Sequence, residues 1–556
     1  MSLRKKNGIP ERGRAAVSGQ RKECVDNMGK TLYCGGSVIT MISPAVHEAL
    51  VEEDGVIRGV GRLADMRALA GADARVVDLQ GGALLPAFID PHSHIVQLAD
   101  SMRFVSLAGC RCFEDIAQAL AEFQKKNSVP AGRFLIGFGY DHTLLAEKQH
   151  PAKELLDKAA PAHPVLISHA SGHMGCANSA ALRLAGIDAS TPDPEGGVIG
   201  RLPDSREPSG YLEENAFIQL SALVPPADGE EMLRLLEKAQ QVYASCGITT
   251  VQEGYMRDRE LPLLCRAAED GRLFLDTVGY IDIKEHAGQM QQYGGRWKDY
   301  HGHFRIGGYK LFLDGSPQGR TAWMTRPYAP QEGQPSNYRG YPIYSDAQVR
   351  AFVQQAGREH RQLLTHCNGD AAIDQLLAAH ERPSRERNVI IHAQLMRPDQ
   401  LPRVRQLSLI PSYFVAHVYH WGDVHWQNFG PQRAETISPV ASTKRLGIPF
   451  TLHQDTPVLP PDMLGTVSCA VRRMTRQGRL LGKDERVDVY TALQGVTAYA
   501  AYQYHEERCK GTLQTGKTAD MVILSRSPLE MPDELPPDIR IRSTIKAGRE
   551  IYSAGD

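Results

Sequence analysis

The stretch Leu84-Leu85-Pro86-Ala87-Phe88-Ile89-Asp90-Pro91-His92-Ser93-His94 constrains this chain more than any other. An apolar run leads into two histidines at i and i+2. On an extended backbone such residues share one side, so two imidazoles at the end of a buried strand face one space. Imidazole is a common metal ligand. A strand that merely ends in two surface histidines is the plain alternative. The residues further along the chain decide between them.

Those residues come in a regular alternation. After the opening strand, strands are expected at 247–252, 273–280, 304–312, 362–366, 388–392, 407–412 and 448–453, with helices between most of them, such as 228–245, 346–358 and 369–379. Eight strands alternating with helices predict an α/β fold, a (β/α)8 TIM barrel. Short strands at 30–34, 37–41, 56–60 and 75–79 are matched by 519–524 and 541–548, so the two ends are expected to pair into a small β-sandwich. The expected division is a flexible leader at 1–29, the sandwich at 30–85 plus 505–556, the barrel at 86–104 plus 229–504, and an inserted α+β subdomain at 105–228 after strand one.

Polar residues that end barrel strands line the catalytic mouth. Strand one ends in His92 and His94, the fourth carries Lys310, the fifth His366, the sixth His392, and the eighth runs into Asp455. Parallel strands bring these ends together. Four neutral imidazoles, a carboxylate and a bridging ligand are able to hold two divalent cations. A lysine ammonium is a poor ligand, but its amine reacts with carbon dioxide to give a bridging carbamate; the plain alternative for Lys310 is a salt-bridging lysine.

In order, these motifs resemble the amidohydrolase superfamily, and most of all its family 3 branch of YtcJ-like proteins and N-substituted formamide deformylases. The resemblance is carried by Pro86–His94, by Gly172-His173 with Asn178-Ser179-Ala180-Ala181-Leu182, by Lys310–Ser316 with Arg320-Thr321-Ala322, by His366–Ala372, by His392, by Asp455-Thr456-Pro457, and by Gly511–Leu513 with Gly516–Val522. It implies that His92 and His94 hold one metal, that carbamylated Lys310 bridges, that His366 and His392 hold a second, and that Asp455 is both ligand and catalytic proton carrier. One or two divalent cations per chain are implied, zinc ahead of manganese or iron, with carbon dioxide for the lysine. The implied function is hydrolysis of a non-peptide C–N bond (amide, formamide or cyclic amide) by metal-activated hydroxide attack on a carbonyl. An esterase, a non-hydrolytic enzyme with the same metal centre, and an idle binding or scaffold barrel are the alternatives.

The branch commonly has Gly-Ser before its strand-eight Asp-x-Pro; here His453-Gln454 stand there. Strand parity points His453 into the pocket if the backbone stays extended. Substrate contacts are expected from His173, Arg320, His417 and His453. For His173 a backbone-satisfied loop histidine, and for Arg320 a structural ion pair, are the alternatives. His417, Tyr419, His420, Trp421, His425 and Trp426 crowd the expected loop after strand seven, as a wall for an apolar or aryl group or as a dimer contact. Cys367 should alternate away from the metal as a packed thiol, and 195–200 reads as a turn. A formal charge of −1 gives no electrostatic case for nucleic acid or an anionic membrane, and no apolar run spans a bilayer. The ten cysteines are scattered, as expected of reduced thiols in a cytoplasmic protein. A small-molecule substrate and a homodimer complete the expectation.

Overall fold

Eight parallel strands form one sheet in the order of the chain: Phe88–Ile89, Ile248–Met256, Asp276–Asp282, Phe304–Phe312, Gln362–Cys367, Val389–His392, Ile410–Tyr413 and Thr451–Leu452. The structure is a computed structural model that describes residues 29–555 except 170–172, 226, 332 and 333. The expected leader therefore lies outside the described residues, Gly29 aside. Helices fill the connections, among them Gly229–Ser245, Asp346–Arg358 and Asp370–Ala379.

Strand alternation explains the packing. Val389 and Ile391 belong to one apolar cluster, with Ile89, Val278, Leu364 and Ile410. Ile390, between them, belongs to the other, where the sheet meets its helices. Burying both faces is what a parallel sheet with crossover helices requires.

Two further sheets follow, and the second of them joins strands from both ends of the chain. One has the order Val56–Gly61, Ala49–Glu53, Thr31–Cys34, Arg75–Asp78. The other runs Arg549–Ser553, Ile541–Lys546, Met521–Leu524, Ala83–Pro86, Ser37–Ile39, Val46–His47. They share a core of Tyr33, Leu50 and Ile57 from the first with Val38, Leu84, Met521, Ile523 and Ile545 from the second. A third, six-stranded sheet spans Phe104–Ser106 to Pro208–Glu214. Next to it Asn178 caps the helix Ser179–Leu184, its side chain accepting from Ala181 N.

Several local expectations change. The seventh strand starts at Ile410 rather than 407, because Leu401–Gln406 is helical and Leu407 and Leu409 pack in the helix–sheet core. Within the stretch read as a turn, Gly197–Arg201 is a strand: Gly196, at φ +69°, makes the bend, and the following residues find backbone partners on Pro208–Glu214. The aromatic segment after strand seven is a helix, His417–Phe429. Among the described residues no helix is long and apolar enough to cross a membrane, and the nine described cysteines are free thiols.

A buried charge network ties the terminal sheets to the start of the third parallel strand. Asp276 accepts from Lys546 Nζ at 2.6 Å, from His303 Nδ1 at 2.7 Å and from Lys510. Lys546 also reaches Asp520 Oδ2 at 2.9 Å, and Lys510 reaches Glu506 at 2.7 Å. Burial alone would raise the Asp276 pKa, but Lys510 and Lys546 hold it well below the usual carboxylate range. A depressed carboxylate adds stability above its unfolded pKa of about 3.9, and that stability is lost as pH falls through the folded value. Asp276→Asn should therefore destabilise the protein by about 3–5 kcal/mol at pH 7. In urea unfolding at a series of pH values, the gap to the parent should narrow below about pH 4.

Candidate metal centre

The carboxyl ends of the parallel strands bring His92, His94, Lys310, His366, His392 and Asp455 together. Lys310 Nζ lies 3.1 Å from His92 Nε2. Asp455 Oδ1 lies 3.4 Å from His92 Nε2 and 3.5 Å from His94 Nε2, and its Oδ2 is 4.0 Å from His392 Nε2. His392 Nε2 lies 3.1 Å from His366 Nδ1.

Two of these side chains depend on unusual backbone. Parity along Val389–His392 would send His392 to the side of Ile390, away from Val389 and Ile391. Instead His392 adopts φ +70°, and its ring meets His366. Asp455 stands at φ +55°. Left-handed backbone at residues other than glycine is costly and concentrates at functional sites.

Neighbours set which nitrogen of each imidazole is available. The Tyr504 hydroxyl donates to Asp90 O at 2.8 Å and accepts from Gln252 Nε2 at 2.9 Å. Gln252 Nε2 also donates to Pro91 O at 2.8 Å, so its Oε1 faces His92 Nδ1, 2.6 Å away. That carbonyl oxygen only accepts, so Nδ1 carries the proton and the Nε2 lone pair faces Lys310 and Asp455. His366 Nε2 lies 3.2 Å from Gly315 O and 3.1 Å from Asn368 Nδ2, and its Nδ1 faces His392. Glu253 stands behind His94, with Oε1 3.4 Å from Nδ1, and its other oxygen accepts from Val96 N at 2.9 Å.

Electrostatics follow from burial. Burial, helped by Lys310, holds His92 well below the ordinary imidazole value and lowers His366 to about 4. Burial and His366 do the same to His392. For His94, burial pulls down, but Asp455 and Glu253 outweigh it and raise the pKa to about 9. Burial lowers Lys310 to about 7. Asp455 is held well below the carboxylate range; burial opposes this, and the surrounding histidines prevail.

The donor set fits a divalent cation. Neutral imidazoles and a carboxylate are zinc's ordinary nitrogen and oxygen donors. Asp455 Oδ1 and His94 Nδ1 are buried without a hydrogen bond of acceptable geometry among the described residues. A divalent cation among these donors would replace the proton that Asp455 and Glu253 hold on His94 as counter-charge to the carboxylate.

The four expected substrate residues fall in different places. His453 is at the site and wholly buried; its Nε2 is 3.1 Å from His392 Nδ1, and its Nδ1 is 2.9 Å from Ser412 Oγ. His417 is one layer out, its ring 4.6 Å from both Phe414 and Trp421. Arg320 is engaged within its own surroundings by Gln334, Asn428 and Ala329 O. His173 is exposed, 3.3 Å from Glu214. Cys367 is buried in the helix–sheet core.

Sequence reasoning did not single out Gln252, Glu253, Gly254 or Ser412. Gln252 and Glu253 are adjacent on a strand, where parity separates them, yet each backs a histidine. Their signal is faint: two polar residues in an otherwise apolar strand end. A Cβ on Gly254 would sit 2.7 Å from His92 Cε1 and 3.0 Å from His94 Cε1, so this position admits only glycine if both rings keep their places.

The model described as Amidohydrolase family matches residues 75–552. YtcJ of Bacillus subtilis (strain 168) is 26% identical over 541 residues, covering 94% of this chain and 99% of that one. The N-substituted formamide deformylase of Arthrobacter pascens is 27% identical over 505 residues, 87% of this chain and 91% of the relative. An uncharacterized metal-dependent hydrolase from Pyrococcus furiosus superposes with a TM-score of 0.72 at 23% identity, over 90% of this chain and all of the other.

Because Gln252 sets the tautomer of His92, Gln252→Leu should weaken metal binding by about 10–100-fold. Chelator competition with zinc-loaded protein reads this directly.

Proposed function

The chain belongs to the amidohydrolase family, and from that premise we propose that it is a metal-dependent hydrolase of a non-peptide C–N bond in an amide, formamide or cyclic amide. His92, His94, Lys310, His366, His392 and Asp455 would hold one or two divalent cations, zinc first among them. Lys310 would enter as a carbamate: its nitrogen adds to carbon dioxide and sheds one proton. Its complete burial beside His92 supports this, since an ammonium sealed from water is costly and an anion facing cations is not.

The bound cation supplies Lewis acidity, which brings the pKa of water to about 7 and polarises a carbonyl. Asp455 accepts the proton of the attacking water on its carboxylate and returns it to the leaving nitrogen. The observation that carries this reading is the Asp455 carboxylate, with Oδ1 buried, without a hydrogen bond of acceptable geometry among the described residues, and 3.4 and 3.5 Å from Nε2 of His92 and His94. His453, backed by Ser412, orients His392. Phe414, His417 and Trp421 form an aromatic wall suited to an apolar group on the substrate. A formamide is favoured within the substrate class by the deformylase relative. His173 and Arg320 stay outside this assignment.

The same reading takes the eight-stranded sheet as a closed (β/α)8 barrel and the two terminal sheets as a sandwich. The bond from His94 N to Thr456 O, 2.8 Å, supports closure by joining the segments after the first and eighth strands. The insert then spans 105–228.

Zinc-loaded protein is to be screened against formamides, N-acyl amines, hydantoins and esters. On the substrate so found, Asp455→Asn should lose about 10²–10⁴-fold in turnover, with metal content by mass spectrometry largely kept. Unchanged turnover would refute the proton-transfer role.

A further inference from the structure

A second group of metal donors lies in the inserted sheet, among residues that the proposed hydrolysis does not use. Strands Leu135–Tyr140 and Val165–His169 are parallel neighbours, with Phe138 opposite Ser168 and Tyr140 opposite His169. The register shifts by one residue between Phe138 and Tyr140, where Gly139 takes φ +87°. A left-handed glycine is what such a bulge needs. The shift brings Asp141 and His142, which follow the first strand, level with His169, which ends the second.

His142 Nδ1 lies 3.3 Å from His169 Nε2, and His169 Nε2 lies 3.7 Å from Asp141 Oδ1. One ligand atom from each of the three residues falls within 4.8 Å of the others. Two donors on one tetrahedral zinc ion, each about 2.0–2.2 Å from it, stand about 3.3–3.5 Å apart. The observed spacings are close to that edge. The donors are also held in place. Asp141 Oδ1 accepts from Thr143 N at 2.9 Å and Thr143 Oγ1 at 2.7 Å. His142 packs on the His150 ring at 4.1 Å, and His150 Nδ1 is 2.9 Å from the Tyr140 hydroxyl. His169 lies against Tyr140 at 5.4 Å.

We propose that Asp141, His142 and His169 form a divalent transition-metal site in the insert, separate from the candidate centre at the strand ends of the parallel sheet. Two imidazoles and one carboxylate select zinc or a neighbouring first-row ion over magnesium or calcium, which prefer oxygen donors. All three donors are partly exposed, so an ion has access and solvent can fill the remaining coordination place. Bound there, the ion would clip together the ends of two adjacent strands.

The test uses the full-length protein, zinc chloride as the probe, and mass-spectrometric metal analysis after buffer exchange. The His142→Ala/His169→Ala variant should hold one equivalent per chain less than the parent. The His92→Ala/His94→Ala variant should still bind one equivalent that the further His142→Ala/His169→Ala change removes. Anomalous diffraction at the zinc edge should give a peak among Asp141, His142 and His169. If the double alanine variant fails to fold by circular dichroism, His142→Gln replaces it, with the same loss expected. Equal zinc content in parent and variant, or no anomalous peak at these residues, overturns the proposal. So does zinc that washes off parent and variant alike.

Discussion

An anionic carboxylate buried among imidazoles is the constraint on which the site depends. Asp455 sits beside His92, His94 and His392 with its side chain 15% exposed, and its buried Oδ1 has no hydrogen bond of acceptable geometry among the described residues. Burial keeps His92, His366 and His392 neutral near pH 7, so they offer lone pairs rather than positive charge. The Asp455 anion together with these three neutral donors is an environment a divalent cation stabilises. The cost of assembling it is visible in the backbone, since His392 and Asp455 both adopt left-handed conformations.

The rest of the molecule holds that arrangement still. Tyr504 and Gln252 form a relay from Asp90 O to His92 Nδ1, and it joins residues more than four hundred positions apart in the chain. Asp314 accepts backbone bonds from Trp323, Asn368 and Gly369, which locks the turns beside His366. Burial raises its own pKa to about 7, against those bonds. At the other end of the sheet, Asp276 with Lys510 and Lys546 anchors the terminal strands. Chemistry is gathered at the carboxyl ends and attachment at the amino ends, the usual separation in parallel α/β folds.

Much of this is legible in the chain. An apolar run followed by His92-Ser93-His94 announces a buried strand with donors at its end, because period-two geometry is local. Lys310 and His366 follow from the same logic, since their strands are regular where they stand. His392 is different: it ends the sixth strand, as the alternation predicts, but strict parity points it the other way, and only its positive φ returns it. The seventh strand starts three residues later than the apolar pattern predicts, because Leu407 and Leu409 are apolar for the sake of the helix before it. The glycines of 195–200 predict a turn, but they serve a strand as well.

Sequence by itself determines the donor set, the alternating strands that carry it, and the short strands at both chain ends, because these depend on residue type and on short-range periodicity. Only the tertiary structure decides which nitrogen of each imidazole faces the centre, that Gln252 and Glu253 stand behind His92 and His94, that Gly254 leaves room for both rings, and that Asp141 and His142 rise level with His169. Those choices rest on hydrogen bonds and contacts between residues far apart in the chain. No local pattern encodes the orientation of a ring whose partner is supplied by another strand.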